Sequence, residues 1–269
     1  MKIILSDKSK KDIFIAIFQL LKHASSQINV SFQSDRCHIQ GMDKSHVCLF
    51  DLSLSSSWFN FYEISNKNSS SNLNLCFDSS IFYSIIGTKS DEQDLIITKS
   101  VDDDENLNIE LVNSNDSSGK KSEFNKFFLM PLLEYEYEEM SIPTTEYDAE
   151  IVLPSKKVTD MLSQLSNFGN DITIICGEEC LDFKTTGTSG EMRVNVSVDD
   201  MTGYSIVEGD QISLTYSLNY IIKMCITNKL STDIELNLSA EMPMKIKYDL
   251  GDKSCLVFYI APKMSDSTF

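Results

Sequence analysis

The residues with the widest chemical repertoire in this chain are three histidines, His23, His38 and His46, and seven cysteines. Two groupings have spacings that resemble metal ligation: the neighbours Cys37 and His38, and Cys176 with Cys180 around Gly-Glu-Glu. A structural zinc site takes four Cys or His ligands, usually as two such pairs, and neither grouping has an obvious partner pair. Cys176 to Cys180 also stands where "ITIIC" must turn back into "CLDF", so it reads as a hairpin turn. The acidic runs Asp102–Glu105 and Glu134–Glu139 read as solvated faces. There is no G-x-x-x-x-G-K-[ST] or G-x-G-x-x-G phosphate loop and no G-x-S-x-G nucleophile elbow. No residue is therefore assigned a catalytic role, no metal or cofactor is expected, and the chain reads as a binding protein rather than an enzyme. One stretch remains unusual. "GMDKSHV", Gly41 to Val47, joins two strand-like runs and should be a polar turn, yet it carries Met42, His46 and Val47, side chains suited to a binding surface.

The elements that must hold such a surface are mostly strands. "INVSFQ", "CHIQ", "CLFDLSL", "LNLCF", "DLIITKS" and "LNIELV" fill the first half; "EIVL", "DITIIC", "CLDFKT", "MRVNVSV", "DIELNLS", "MKIKYDL" and "CLVFYIA" fill the second. They are short, rich in β-branched and aromatic residues, and separated by turn residues, which predicts antiparallel sheets. Four segments have helical periodicity instead. Ile13, Phe14, Ile17, Leu20 and Leu21 form one apolar stripe, and Val158, Met161, Leu162 and Leu165 form another, with Ser155 as its N-cap. Phe82, Ile85 and Ile86 mark a short helix capped by Asp78 and ended by Gly87. Leu218, Ile221 and Ile222 mark the fourth. In each half a long helix precedes a strand hairpin, more strands follow, then a short helix, then strands again. This is one plan used twice: an α+β chain of two similar domains, 1–131 and 150–269, joined by an acidic connector at 132–149.

Composition sets further bounds. Hydrophobic residues make up 42% of the 269 residues, enough for a sizeable core. The formal net charge is −17, so nucleic acid is repelled unless the basic residues are gathered in one place. An odd number of cysteines without framework spacing predicts free thiols in a reducing compartment. There is no apolar run long enough for a membrane span, and the apolar part of "MKIILSDKSK" is too short for a secretory signal, so an intracellular, soluble protein is expected. Ser65–Asn74 and the stretches flanking "IELV" between Val101 and Ser122 read as solvated loop insertions.

"IQGMDKSHVCLFDLSL", "PSKKVTDMLSQLSNFGNDITIIC", "SIPTTEY" and "FYIAPKM" occur in the order and near the spacing of proliferating cell nuclear antigen, the eukaryotic-type DNA sliding clamp, and the chain resembles that family over essentially its whole length. The resemblance implies a homotrimeric ring of six such domains around double-stranded DNA, with helices inside and sheets outside. It implies a processivity factor that tethers a DNA polymerase and other replication and repair enzymes carrying short clamp-binding peptides. A clamp loader ATPase would open the ring, and the setting would be the nucleus or a viral replication compartment. A subunit of a heterotrimeric checkpoint-type clamp is the alternative.

Position by position, the resemblance places a partner-peptide groove at Met42, His46, Val47, Leu49, Met140, Ile142, Tyr147, Pro243, Tyr259, Ala261, Pro262 and Met264, with His46 as a half-buried contact. It assigns subunit interfaces to two strands, one with Phe124, Phe127, Phe128 and Met130, the other with Met192, Val194 and Val196, and it ends the first pairing at Pro131. A DNA-facing surface would use Lys10, Lys11, Lys22, Lys89, Lys156, Lys157, Lys223 and Lys229, which are 8 of the 23 basic residues. The chain departs from the family at Ile15, Ala16, Ser163 and Asn167, where basic residues are usual, which predicts weak, salt-dependent DNA contact.

Overall fold

The computed structural model describes residues 1–64, 72–113, 123–134, 139–207, 209 and 211–263. It divides into two compact units. The first comprises Met1–Gly41, Asp51–Met140 and Leu250–Cys255; the second comprises Met42–Phe50, Ser141–Asp249 and Leu256–Phe269.

The two halves of the chain repeat the same order of elements. The first runs β1 (Lys2–Leu5), α1 (Lys8–Ala24), β2 (Gln27–Phe32), β3 (Arg36–Met42), β4 (Cys48–Ser55), β5 (Phe61–Glu63), β6 (Leu73–Asp78), α2 (Ser79–Ile86), β7 (Gln93–Thr98), β8 (Asn106–Asn113) and β9 (Lys126–Pro131). The second runs β10 (Ala149–Pro154), α3 (Ser155–Leu165), β11 (Asp171–Cys176), β12 (Cys180–Gly187), β13 (Gly190–Ser197), β14 (Gly203–Ile206), β15 (Ile212–Ser217), α4 (Leu218–Met224), β16 (Asp233–Leu238), β17 (Met244–Gly251) and β18 (Ser254–Ile260). The doubled plan expected from the sequence is therefore present, as is the hairpin turn between Cys176 and Cys180. The strand pattern of the sequence passes over β1, β5, β14 and β15. β5 and β14 have only three and four residues and both lie at sheet edges, where a short run has too little alternation to stand out.

In the first unit one sheet has the order β5-β1-β7-β8-β9, and β6, β2, β3 and β4 are successive neighbours in another. Helix α1 is capped by Asp7, whose carboxylate accepts from Lys10 N at 2.8 Å. Its buried face carries Phe14 and Phe18, which meet Phe77 and Phe82 in an aromatic cluster; the Phe18 and Phe82 rings lie 4.5 Å apart. Asp78 caps α2 through the amides of Ser80 and Ile81, as the sequence predicts.

In the second unit the orders are β13-β12-β11-β15 and β14-β10-β16-β17-β18. Val158, Met161, Leu162 and Leu165 all point into the core from α3. Ser155 is the first helical residue rather than the cap: the chain enters from Pro154, no side chain caps the helix, and the buried Ser155 hydroxyl has no hydrogen-bond partner. On α4 the buried stripe is Leu218, Ile221 and Met224, with Ile222 half-buried.

Candidate functional site

From Met42 onward the "GMDKSHV" segment belongs to the second unit, and it is built around one carboxylate. Asp43 is buried. Its Oδ1 accepts from the amides of Val47 at 2.8 Å and Cys48 at 2.7 Å, and its Oδ2 accepts from the Ser45 amide at 3.0 Å and the Tyr220 hydroxyl at 2.9 Å. Backbone bonds from Asp43 N to Cys48 O and from His46 N to Asp43 O close the turn. Burial alone would raise the carboxyl pKa. The Cys48 amide, the Tyr220 hydroxyl and the Ser45 and Val47 amides outweigh it, and Asp43 titrates below the ordinary aspartate value.

The loop holds His46 at a φ of 58°, the left-handed region that costs a non-glycine residue about 1–2 kcal/mol. That strain is concentrated on a surface residue: His46 is exposed, not half-buried as the sequence predicts. A residue kept in a sparsely populated conformation by its surroundings marks a candidate functional position.

Met42, His46, Val47 and Leu49 form one wall of an open groove of about 200 Å³ in the second unit. Ile142 and Tyr147 line it from the segment that enters β10, Pro243 from the β16–β17 turn, and Tyr259 and Ala261 from the end of β18. The amide of Ala261 donates to Val47 O at 3.0 Å, pinning the chain after β18 to the loop. Nine of the twelve residues expected of the groove thus line one concavity. Pro262 is half-buried and outside its lining, and Met264 lies outside the described residues. Met140 belongs to the first unit, where Gln40 brackets its backbone, accepting from the amide at 2.7 Å and donating to the carbonyl at 3.0 Å. Ser141, Pro143 and Met242 also line the groove. Each is a direct neighbour of an expected residue, and sequence adjacency was the available signal. The lining is mainly apolar, with methionine, proline and tyrosine side chains, of which the unbranched methionines are the most adaptable in shape.

Among the described residues six strands end a sheet, and β9 and β13, the two assigned to interfaces from the sequence, are among them. β9 ends its sheet, with register Leu107↔Met130, Ile109↔Phe128 and Glu110↔Phe127 against β8. Phe124, Phe127 and Leu129 are 87%, 68% and 62% exposed. Met130 points the other way and is 2% exposed, so it belongs to the core of its own unit and not to a free surface. Pro131 is the last residue of β9, opposite Asn106 of β8, rather than lying just past the strand. β13 ends the sheet of the second unit. Its Val194 and Val196 line a second cavity of about 200 Å³ with Leu153, Val158 and Met161. On its other face Arg193 and Asn195 bond Asp182 at 2.5 and 2.9 Å. The Arg193 hydrogen bond is the main reason the Asp182 carboxyl titrates below its ordinary value.

The lysines divide into two groups. Lys156 and Lys157 on α3, Lys223 on α4 and Lys229 beyond it are exposed. In the first unit Lys22 is half-buried over the Tyr83 ring at 3.8 Å, and Lys10 pairs with Asp252 at 2.8 Å. Lys11 is not a surface cation. It is 1% exposed, its stem lies in the core, and its ammonium donates to the carbonyls of Asp91 at 3.1 Å and Gln93 at 2.5 Å. Burial, followed by the charge of Lys89, lowers its pKa. Lys89 has a side chain only 6% exposed, and it is neutralised by Asp12 at 2.8 Å and Asp91 at 3.6 Å. Both corrections have one cause: helical spacing places a lysine beside a wet face but does not reveal the carbonyls and carboxylates that fold against it. Ala16, where the family has a basic residue, is also buried.

Comparison with known proteins matches the geometry over both halves. The family model "Proliferating cell nuclear antigen, N-terminal domain" matches residues 7–135, and its C-terminal counterpart matches residues 141–263. Proliferating cell nuclear antigen 2 of Plasmodium falciparum is 26% identical over 260 residues, covering 94% of this chain and 96% of the relative. The antigen of Chaetomium thermophilum is 27% identical over 255 residues, covering 93% and 94%. A crystal structure of the antigen from Thermococcus kodakaraensis superposes with a TM-score of 0.83 at 18% identity over 97% of this chain and 99% of that one, a likeness of fold. These matches do not favour the heterotrimeric alternative. With both domain types matched in order along one chain, the protein belongs to the proliferating cell nuclear antigen family of DNA sliding clamps.

Proposed function

We propose that three copies of this chain close into a ring around duplex DNA by pairing β9 of one copy with β13 of the next. The observation that carries this reading is the apolar surface carried by two of the edge strands, β9 and β13. An exposed strand edge is a template for another chain, and these two carry complementary apolar groups: Phe127 and Leu129 on one, Val194 and Val196 beside a cavity on the other. Residues 132–149 then act as the connector between domains 1–131 and 150–269.

The exposed lysines Lys156, Lys157, Lys223 and Lys229, with Lys22, face the DNA, and the ring holds it by enclosure more than by affinity. The apolar groove receives extended peptides from a DNA polymerase and from other replication and repair proteins. A loader ATPase opens the ring, and the clamp acts in the nucleus or in a viral replication compartment. Family members are scaffolds without catalytic activity of their own, and the reaction accelerated is the partner's.

Light scattering on purified protein, at low and high salt, tests the assembly: a mass three times the 30.4 kDa chain is expected. A monomer at low micromolar concentration under both conditions overturns the ring.

A further inference from the structure

We infer that Tyr220 is a positioning residue for the partner groove, holding the Met42–Val47 wall in its binding shape through the Asp43 carboxylate. The inference rests on the proposed peptide-binding role of the groove. Tyr220 does not line the groove; it sits in the first turn of α4, half-buried. Its hydroxyl is the one side-chain donor among the four groups that Asp43 collects at 2.7–3.0 Å, the other three being backbone amides, of Ser45 and Val47 in the loop and of Cys48 at the start of β4.

This arrangement has a physical consequence. The Ser45 and Val47 amides organise the loop internally, and the Cys48 amide ties it to the start of β4. The Tyr220 hydroxyl supplies a second tie, from a helix whose Leu218, Ile221 and Met224 are buried in the core. Ala261, through its bond to Val47 O, ties the far end. Between these two anchors His46 is held at positive φ with Val47 beside it, both facing the groove. Without the hydroxyl, Oδ2 keeps only the Ser45 amide, and the loop can relax from the conformation that strains His46. The apolar wall then loses preorganisation, so binding must order it each time.

The test uses the full chain and a fluorescein-labelled peptide. The peptide is selected by display on the wild-type protein and kept because the combined His46→Ala and Val47→Ala change abolishes its binding. Tyr220→Phe is expected to weaken this peptide about tenfold, as for loss of one hydrogen bond to a charged acceptor, mainly through faster dissociation. Amide exchange at Ser45, Val47 and Cys48 should accelerate, with the melting midpoint and the exchange of β16 unchanged. Asp43→Asn should weaken the peptide further. Wild-type affinity and wild-type loop exchange in Tyr220→Phe overturn the inference. So does a lowered melting midpoint with faster exchange across β16, which makes Tyr220 a general structural residue. If no displayed peptide depends on His46 and Val47, the groove reading itself has failed, and this inference falls with it.

Discussion

Replacing both Phe127 and Leu129 with alanine should loosen the ring without unfolding the subunit. The side chains are 68% and 62% exposed in the single chain, so their own unit depends little on them. Fully burying a leucine or phenylalanine is worth about 1.5–3 kcal/mol. About two-thirds of each is still exposed, and a neighbouring edge strand covers about half of that, so each contributes about 0.5–1 kcal/mol across the contact. The pair together loses about 1–2 kcal/mol per interface, a factor of roughly 5–30 in its association constant. A closed trimer loses this three times while its half-dissociation concentration depends on the square root of the overall constant, so that concentration should rise about 10- to 150-fold. A dilution series followed by light scattering or mass photometry reads this directly, with circular dichroism as the check on folding. A double variant that dissociates at the same concentration as the wild type would refute the assignment of β9 to the interface.

Other outcomes follow from the same geometry. Replacing His46 and Val47 together should abolish binding of polymerase-derived peptides and leave the mass in solution unchanged; loss of the trimer would show that the loop serves folding instead. DNA retention should fall steeply with salt, and Lys156→Ala with Lys157→Ala should flatten that salt slope, whereas Lys11→Met should leave the slope unchanged and lower the melting midpoint. Asp182, held below its ordinary pKa first by the Arg193 hydrogen bond, contributes stability that is present above the unfolded carboxylate pKa of about 3.9 and is lost as pH falls through the lower folded value. Asp182→Asn should therefore be less stable than wild type at neutral pH and lose less stability in an acid titration. Parallel acid curves would contradict this.

Much of the site was legible because its signals are local. Met42, His46 and Val47 stood out as apolar and aromatic members of a turn, and the family's motif order placed Tyr259 and Ala261 on the same surface. By sequence Asp43 is only a polar member of a turn between two strands. Its role depends on Tyr220, 177 residues away, and no periodicity or motif marks a hydrogen bond across that distance. Lys11 and Lys89 show the converse. They have the right residue type and spacing for a phosphate-facing surface, but the Asp91 and Gln93 carbonyls hold Lys11 in the interior and the Asp12 and Asp91 carboxylates neutralise Lys89.

By itself the sequence determined the doubled succession of helices and strands, the absence of familiar catalytic motifs and the family, because periodicity, turn residues and motif order are properties of neighbours along the chain. The tertiary structure decided which edges stay open, which lysines reach solvent and how one buried carboxylate holds the "GMDKSHV" loop. Those outcomes depend on groups distant in sequence competing for the same donors, acceptors and buried volume, and that competition is settled only when the chain has folded.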